Sequence, residues 1–88
     1  MRVLVIYRPI SEHGRVVDDF IRDFKARIHG ANFEIIDMDS REGISMLSLY
    51  DIAQAPAIIA LREDGQMIQS WSGNTMPLIN DVAYYARA

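Results

Sequence analysis

The chain has 88 residues, of which 50% are hydrophobic and 24% are charged, with a formal net charge of −3. This length and balance predict one small globular domain over residues 1–88 rather than a disordered chain. The lack of a Lys/Arg run argues against a dedicated nucleic-acid binder. The absence of cysteine excludes disulfides, thiolate metal sites and thiol redox chemistry.

The N-terminal part predicts a strand followed by a helix. Residues 2–7 form a continuous β-branched and aromatic run, typical of a strand covered on both faces. Ser11 is expected to cap the helix that follows, and Gly30 to end it. That helix is predicted over residues 15–29, with apolar residues at spacings of three and four: Val17, Phe20, Ile21, Phe24 and Ile28.

The middle of the chain predicts a second strand and a second helix. The strand spans residues 33–38, and residues 39–42 resemble a capping box, a short polar cap followed by a Glu. The second helix is predicted over residues 42–53, with Ile44 and Leu47 turned inward, together with Tyr50 or Ile52. A third apolar strand is predicted over residues 57–61.

The C-terminal part predicts a hairpin and a last helix. Asp64-Gly65 supplies the positive-φ position of a hairpin turn, and the fourth strand spans residues 66–71. The last helix is predicted over residues 76–87, with Asn74 or Thr75 as its cap and Pro77 in its first turn. Its apolar side is expected to contain Leu78, Ile79, Val82, Tyr85 and Ala86.

The predicted element order is therefore β-α-β-α-β-β-α. The first two strands should be parallel because a helix connects them, and the Asp-Gly hairpin makes the last two antiparallel. We expect an α/β fold with a four-stranded mixed sheet flanked by helices on both faces. No stretch approaches the roughly 20 apolar residues of a membrane span, and the short N-terminal apolar run does not suit a secretion signal. A cytoplasmic protein is expected.

One proline stands where the second helix gives way to the third strand. Pro56 lacks the N–H that a strand interior needs, so it fits the first position of a strand rather than its middle. A proline at such a junction is a candidate for a cis peptide bond with Ala55.

Two motifs in this order resemble the thioredoxin-like superfamily. The stretch Tyr50-x-Ile52-x-x-x-Pro56, followed by an apolar strand, Asp64-Gly65 and Trp71-Ser72-Gly73, resembles the C-terminal half of thioredoxins. Residues 7–14 resemble the glutaredoxin junction in which a strand, a proline and Cys-x-x-Cys lead into a helix. The resemblance implies a thioredoxin-like fold in which Ala55–Pro56 is cis and faces the start of the first helix.

The chain departs from that superfamily at its reactive positions. Ser11 and Gly14 stand where the resemblance places the two cysteines. A serine hydroxyl has a far higher pKa than a thiol and forms no disulfide, and glycine has no side chain. No thiol–disulfide oxidoreductase activity is therefore expected. Ser11 could instead polarise a bound thiol, but a helix cap is the simpler interpretation.

Three functions are considered, the first two from the resemblance and the third from the sheet edge or an exposed aromatic patch. The leading one is a redox-inactive module that binds a peptide or protein partner through the groove beside Pro56. The alternatives are a glutaredoxin-like protein that binds glutathione or another small thiol, with Arg8 and Ser11 as contacts, and a subunit that forms a homodimer. The candidate groove residues are Arg8, Ser11, Glu12, His13, Gly14, Ala55, Pro56, Gly73, Asn74 and Thr75.

Other chemistry-bearing residues are given structural interpretations. His13 is expected to be exposed, because residues two apart on a helix do not face each other and it cannot pair with Ser11. Two histidines and scattered carboxylates lack the spacing of metal ligands, so no metal is expected. Tyr7, Trp71 and the pair Tyr84-Tyr85 are better explained as packing residues than as a contact surface. No resident cofactor, nucleic acid or membrane partner is expected.

Overall fold

The computed structural model describes residues 1–73 and 75–87. Within them the elements follow the predicted order: β1 (Arg2–Tyr7), α1 (Gly14–Arg27), β2 (Phe33–Asp37), α2 (Arg41–Leu49), β3 (Ala57–Leu61), β4 (Met67–Ser72) and α3 (Ile79–Arg87). None of the helices in these two ranges is both long and apolar enough to cross a bilayer.

The strands form one mixed sheet in the order β2-β1-β3-β4. β1 pairs with β2 in parallel, whereas β1–β3 and β3–β4 are antiparallel. Parallel pairing requires a crossover connection, which α1 supplies, while the β3–β4 pair needs only a short turn. The predicted α/β fold with a four-stranded mixed sheet is confirmed.

The larger core lies between one face of the sheet and the helices α1 and α3. Successive side chains of a strand point to opposite faces, so β1 contributes alternate residues to this core, beginning at Val3. Phe24 from α1 is almost fully buried and stacks on Phe33 of β2, with ring centroids 4.1 Å apart. The buried members of this core are Val3, Val5, Tyr7, Val17, Phe20, Ile21, Phe24, Ile58, Ala60, Val82, Ala83 and Ala86.

The smaller core lies on the opposite face, beneath α2. Its buried residues are Leu4, Ile6, Ile36, Ile59 and Leu61, and the partly buried residues that pack on them include Met46, Leu47, Tyr50 and Ile52. β1 and β3 are thus covered on both faces, as their continuous apolar runs predict. Helices on both faces of the sheet are confirmed.

Two helices are shorter than predicted at their C-terminal ends. α1 ends at Arg27, two residues before the predicted end. α2 ends at Leu49 rather than at residue 53, because Asp51 adopts a positive φ of 54° and turns the chain. The Ile52 N–H then donates to the Leu47 carbonyl at 2.9 Å, which satisfies one of the last helix carbonyls. The prediction that Ile44 points inward is wrong, since it is 59% exposed.

α3 begins later than predicted, at Ile79 rather than at residue 76. Thr75 therefore stands too far ahead of the helix to cap it, and Pro77 precedes the first turn rather than lying in it. Asn74, the other predicted cap, lies outside the described residues. Leu78 was expected in the core but is 72% exposed.

The hairpin between β3 and β4 forms where the Asp-Gly pair predicts it. Gly65 has a φ of +91°, and its N–H donates to the Arg62 carbonyl at 2.9 Å. The Gly65 carbonyl accepts a 2.6 Å hydrogen bond from the Tyr50 hydroxyl. This bond ties the end of α2 to the hairpin, so the tyrosine of the Tyr50-x-Ile52 motif has a defined structural role.

Candidate binding site at one end of the sheet

The register of the sheet brings the predicted groove segments to one end. Tyr7 pairs with Asp37, Ile6 with Ala57, and Ala57 with Ser72. Beyond the Ala57–Ser72 pair, the Gly73 N–H donates to the Pro56 carbonyl at 3.0 Å, so Pro56 and Gly73 lie side by side as well. We call this region, formed by residues 8–13, 55–56, 73 and 75–78, the strand-end surface. Adjacent strands lie about 5 Å apart, so the residues at which these segments leave the strands are neighbours.

Arg8 is bound by a carboxylate of this same chain. Its Nε and Nη2 donate to the two carboxylate oxygens of Asp39 at 2.7 and 2.9 Å. These hydrogen bonds hold the pKa of the Asp39 carboxyl below its usual value. The pair connects the loop after β1 to the loop after β2. Arg8 is therefore engaged at its guanidinium fork, the group that would have met a ligand carboxylate.

The prediction that Ser11 caps the first helix is wrong. The N-cap of α1 is His13, which makes no side-chain cap hydrogen bond. The Ser11 hydroxyl instead donates to the Arg8 carbonyl at 2.6 Å, and its own carbonyl accepts from the Gly14 N–H at 3.2 Å. Ser11 therefore stabilises the turn that precedes the helix, two residues before the position that a cap occupies.

His13 is half-buried, which corrects the expectation of an exposed histidine. Its Nε2 accepts a hydrogen bond from the Arg8 N–H at 3.1 Å, and its ring centroid lies 6.4 Å from that of Tyr7. Ser11 and His13 thus both bond to the backbone of Arg8. They hold the loop after β1 and do not form a nucleophile–base pair with each other. Glu12, between them, is exposed.

Gly14 has no room for a side chain. It is buried, and a Cβ placed on it would collide with the Pro9 carbonyl and approach the Arg8 carbonyl. A β-carbon of any kind therefore requires the backbone to shift. The resemblance places the second cysteine at this position. The chain departs from that pattern in two ways: the residue is glycine, and the surrounding backbone leaves no space for a cysteine side chain.

Ala55 and Pro56 form the central part of the strand-end surface. Their peptide bond is cis. Pro56 is fully buried, whereas Ala55 is half-buried. Within residues 1–73 and 75–87, neither the N–H nor the carbonyl of Ala55 makes a hydrogen bond. A backbone donor and acceptor thus stand side by side at the surface without partners from the described part of the chain.

Tyr7, the last residue of β1, is a buried packing residue beside the strand-end surface, as expected from the sequence. It is only 5% exposed, and its hydroxyl donates a short hydrogen bond to Asp18 of α1. Burial, the Asp18 hydrogen bond and the negative charges of Asp18 and Asp37 raise the pKa of Tyr7 to about 12. Tyr7 therefore acts as a neutral hydrogen-bond donor that anchors α1. Its partner is eleven residues away, beyond the reach of any local pattern.

Two exposed apolar side chains belong to the segments of the strand-end surface. Ile10, in the loop after β1, is 95% exposed, and Leu78, just before α3, is 72% exposed. The Gly73 backbone has a φ of +101°, and Thr75 is exposed. Sequence reasoning missed Ile10 and Leu78 as surface residues. The sole available signal was that Ile10 follows a proline and precedes a serine, outside any periodic pattern.

Several polar side chains of the strand-end surface are engaged within the chain. In the described ranges, no cluster of three or more His, Asp or Glu side chains could hold a metal ion. The hydroxyl of Ser11 and the imidazole of His13 are both engaged by backbone groups. The strand-end surface also contains the unpaired backbone donor and acceptor of Ala55, and its segments carry two exposed apolar side chains, Ile10 and Leu78.

No family model matches the chain, and no curated protein matches it. The functional conclusion is therefore drawn from the geometry of the strand-end surface.

Proposed function

We propose that the chain is a thioredoxin-like module without thiol chemistry, and that it binds an extended segment of a partner protein at the strand-end surface. The element order, the sheet order β2-β1-β3-β4 and the position of Pro56 at the start of β3 support this assignment. The packing of Tyr50 and Ile52 also supports it. Both residues follow α2, precede Pro56 and pack against the smaller core.

The observation that carries the proposal is the unpaired backbone of Ala55. An extended peptide binds a protein by exchanging main-chain hydrogen bonds with an available N–H and carbonyl, while pockets or apolar side chains select its sequence. Ala55 supplies that donor and acceptor. Ile10 and Leu78, which are exposed in the same surface, supply apolar area that a bound segment would remove from water.

The bound segment is held and not transformed. The chain has no cysteine, Gly14 admits no side chain, and the Ser11 hydroxyl is used within its own loop. The glutathione alternative is weakened by Arg8, because Asp39 already occupies the guanidinium that would meet a glutathione carboxylate.

The test is selection of peptides from a displayed random library with the full chain as bait, followed by amide-shift mapping of one selected peptide. We expect shifts at Ala55 and its neighbours Ile10 and Gly73. We further expect Leu78→Ser to weaken binding about tenfold, since burying a leucine contributes about 1.5–3 kcal/mol.

Leu49→Ser is the matched control, because Leu49 is 70% exposed and lies at the end of α2. Ile10→Ser has a similar control in Ile44→Ser. Failure to select any peptide would overturn the proposal. So would selected peptides that shift amides elsewhere, or that respond equally to the Leu78 and Leu49 substitutions.

A further inference from the structure

A second surface lies between the edge strand β4 and helix α3. It is an open concavity of about 420 Å³ lined by Gln69, Trp71, Asn80, Asp81, Tyr84 and Tyr85. Residues 69 and 71 share one side of the strand because side chains alternate, and residues 81, 84 and 85 share one face of the helix at spacings of three and four. We call it the aromatic concavity. None of its residues belongs to the strand-end surface.

Three aromatic rings meet there at steep angles. The ring centroids of Trp71 and Tyr85 are 5.7 Å apart with planes at 66°, and those of Tyr84 and Tyr85 are 5.0 Å apart with planes at 90°. Trp71 and Tyr85 are half-buried against the larger core, whereas Tyr84 is 69% exposed. Each pair is in edge-to-face contact, and the parts of the three rings that these contacts leave uncovered line the concavity.

A carboxylate completes the lining. Asp81 is exposed, and no Lys, Arg or His in the described part of the chain forms an ion pair with it. It lies in the first turn of α3, where the helix dipole places roughly half a positive charge. The full negative charge of the carboxylate exceeds that, so the net local potential favours a cation.

We propose that the aromatic concavity binds a quaternary ammonium group. A cation near the faces of Trp and Tyr rings is attracted by their quadrupoles, and aromatic cages are the usual recognition site for such groups. Methylated ammonium exposes apolar methyl surface to the rings while it keeps a full charge for Asp81. A neutral apolar group of the same shape gains the ring contacts but not the charge attraction.

The shared chemistry has two sources, a small solute such as choline and a trimethylated lysine side chain. The position of β4 at the edge of the sheet leaves the concavity open to either source. A free solute needs the ring walls alone. A modified lysine also brings a peptide backbone, which would show as tighter binding of a trimethyl-lysine peptide than of choline.

Trp71 provides a specific readout, because it is the single tryptophan of the chain. We expect choline, and a peptide that contains trimethyl-lysine, to change the Trp71 fluorescence in a saturable way. The uncharged tert-butyl analogue of choline, in which carbon replaces nitrogen, should bind at least about fivefold more weakly. The unmodified lysine peptide controls for contacts of the peptide itself.

Substitutions localise the effect. Tyr84→Ala and Asp81→Asn should each weaken choline binding about fivefold or more, whereas Asp23→Asn, at an exposed carboxylate of α1, should leave it unchanged. Tyr84 is exposed, so its loss leaves the fold intact, which far-UV circular dichroism checks. Equal binding of choline and its neutral analogue would overturn the proposal. So would an unaltered Trp71 signal at saturating choline, or full binding by both variants.

Discussion

The first two strand–helix junctions of this protein carry the same short motif and use it differently. Residues 11–14 and residues 40–43 both have the pattern Ser-x-x-Gly. In each case the serine hydroxyl donates to the carbonyl three residues earlier at 2.6 Å. In each case, too, a Cβ on the glycine would collide with a backbone carbonyl that precedes the motif, that of Pro9 for Gly14 and that of Asp37 for Gly43. The motif thus packs a helix start closely against the backbone that leads into it.

The difference lies in where the helix begins relative to the motif. Gly14 is the first residue of α1, whereas Gly43 is the third residue of α2. Ser40 is therefore the N-cap, and its hydroxyl accepts from the Gly43 N–H at 3.0 Å. Ser11 stands two residues too early to do the same. A serine before a helix predicts a cap only if the helix starts immediately after it.

The largest expected effect tests what the two junctions share. Gly14→Ala and Gly43→Ala should each lower the free energy of unfolding by about 2–3 kcal/mol, because the added methyl meets backbone rather than a movable side chain. Urea denaturation measures the change. If only one of the two glycines is sensitive, the shared close approach is not a common requirement.

Gly30→Ala is the control for these glycines. A Cβ there meets nothing within 4 Å, and the sole cost is its positive φ of 73°. We expect it to cost about 1 kcal/mol. A loss as large as that of Gly14→Ala would show that backbone freedom, and not space, is what the glycines supply.

The next effect tests the residues at which the two junctions begin, Tyr7 and Asp37, which pair in the sheet. The pKa of Tyr7 is raised to about 12, chiefly by burial and by Asp18. Its proton is therefore held more tightly in the folded state than in the unfolded state, where it leaves near pH 10. The free energy of unfolding should fall by about 1 kcal/mol more between pH 10 and pH 11 in the wild type than in Tyr7→Phe.

Absorbance titration of tyrosinate gives a second readout for this prediction. Of the four tyrosines, one should ionise near pH 12 in the folded wild type and be missing from Tyr7→Phe. Asp18→Asn should lower the pKa of Tyr7, because a negative charge beside the phenol is removed. An unchanged titration curve in both variants would contradict the assignment.

The smallest effect tests where the junctions differ. Ser40→Ala should lower the free energy of unfolding by about 1 kcal/mol, the usual cost of a lost N-cap. Ser11→Ala loses one hydrogen bond of an exposed turn and should cost about 0.5 kcal/mol. Thermal or urea unfolding of the two variants checks this order. If Ser11→Ala lowered the free energy of unfolding as much as Ser40→Ala or more, Ser11 would have a capping role that its hydrogen bonds do not show.

The strands of the sheet centre could be predicted to the residue. The bounds of β1 and β3 coincide with the predicted ones, because both strands are buried on two faces and each apolar run ends where burial ends. The apolar side of α1 was also predicted correctly except at Ile28, which is the C-cap beyond the end of the helix. Val17, Phe20, Ile21 and Phe24 are all buried, since a long amphipathic helix leaves one consistent orientation.

The ends of α2 and α3 could not be predicted in the same way. Ile52 looks like a continuation of α2, but Asp51 turns the chain and Ile52 reaches the smaller core from outside the helix. Leu78 fits the apolar spacing of α3 but precedes the helix and faces solvent. An apolar residue near a helix end satisfies the periodic pattern equally well whether or not the helix includes it.

The candidate site divides along the same line. The three segments of the strand-end surface could be selected from the sequence, because element order alone places the ends of β1 and β4 beside the start of β3. The hydrogen-bond partners of the individual side chains in this region could not be predicted. The bonds from Arg8 to Asp39 and from Tyr7 to Asp18 join separate elements, and only the folded chain brings such partners together.

The sequence by itself determined the number, type and order of the elements, since apolar periodicity, prolines and turn glycines act over a few residues. The tertiary structure alone decided that Ser40 caps a helix while Ser11 does not. The reason is distance: a cap depends on the residue at which the helix starts. In α1 that start lies at Gly14, packed closely against the Pro9 carbonyl, a contact that no local pattern of residues records.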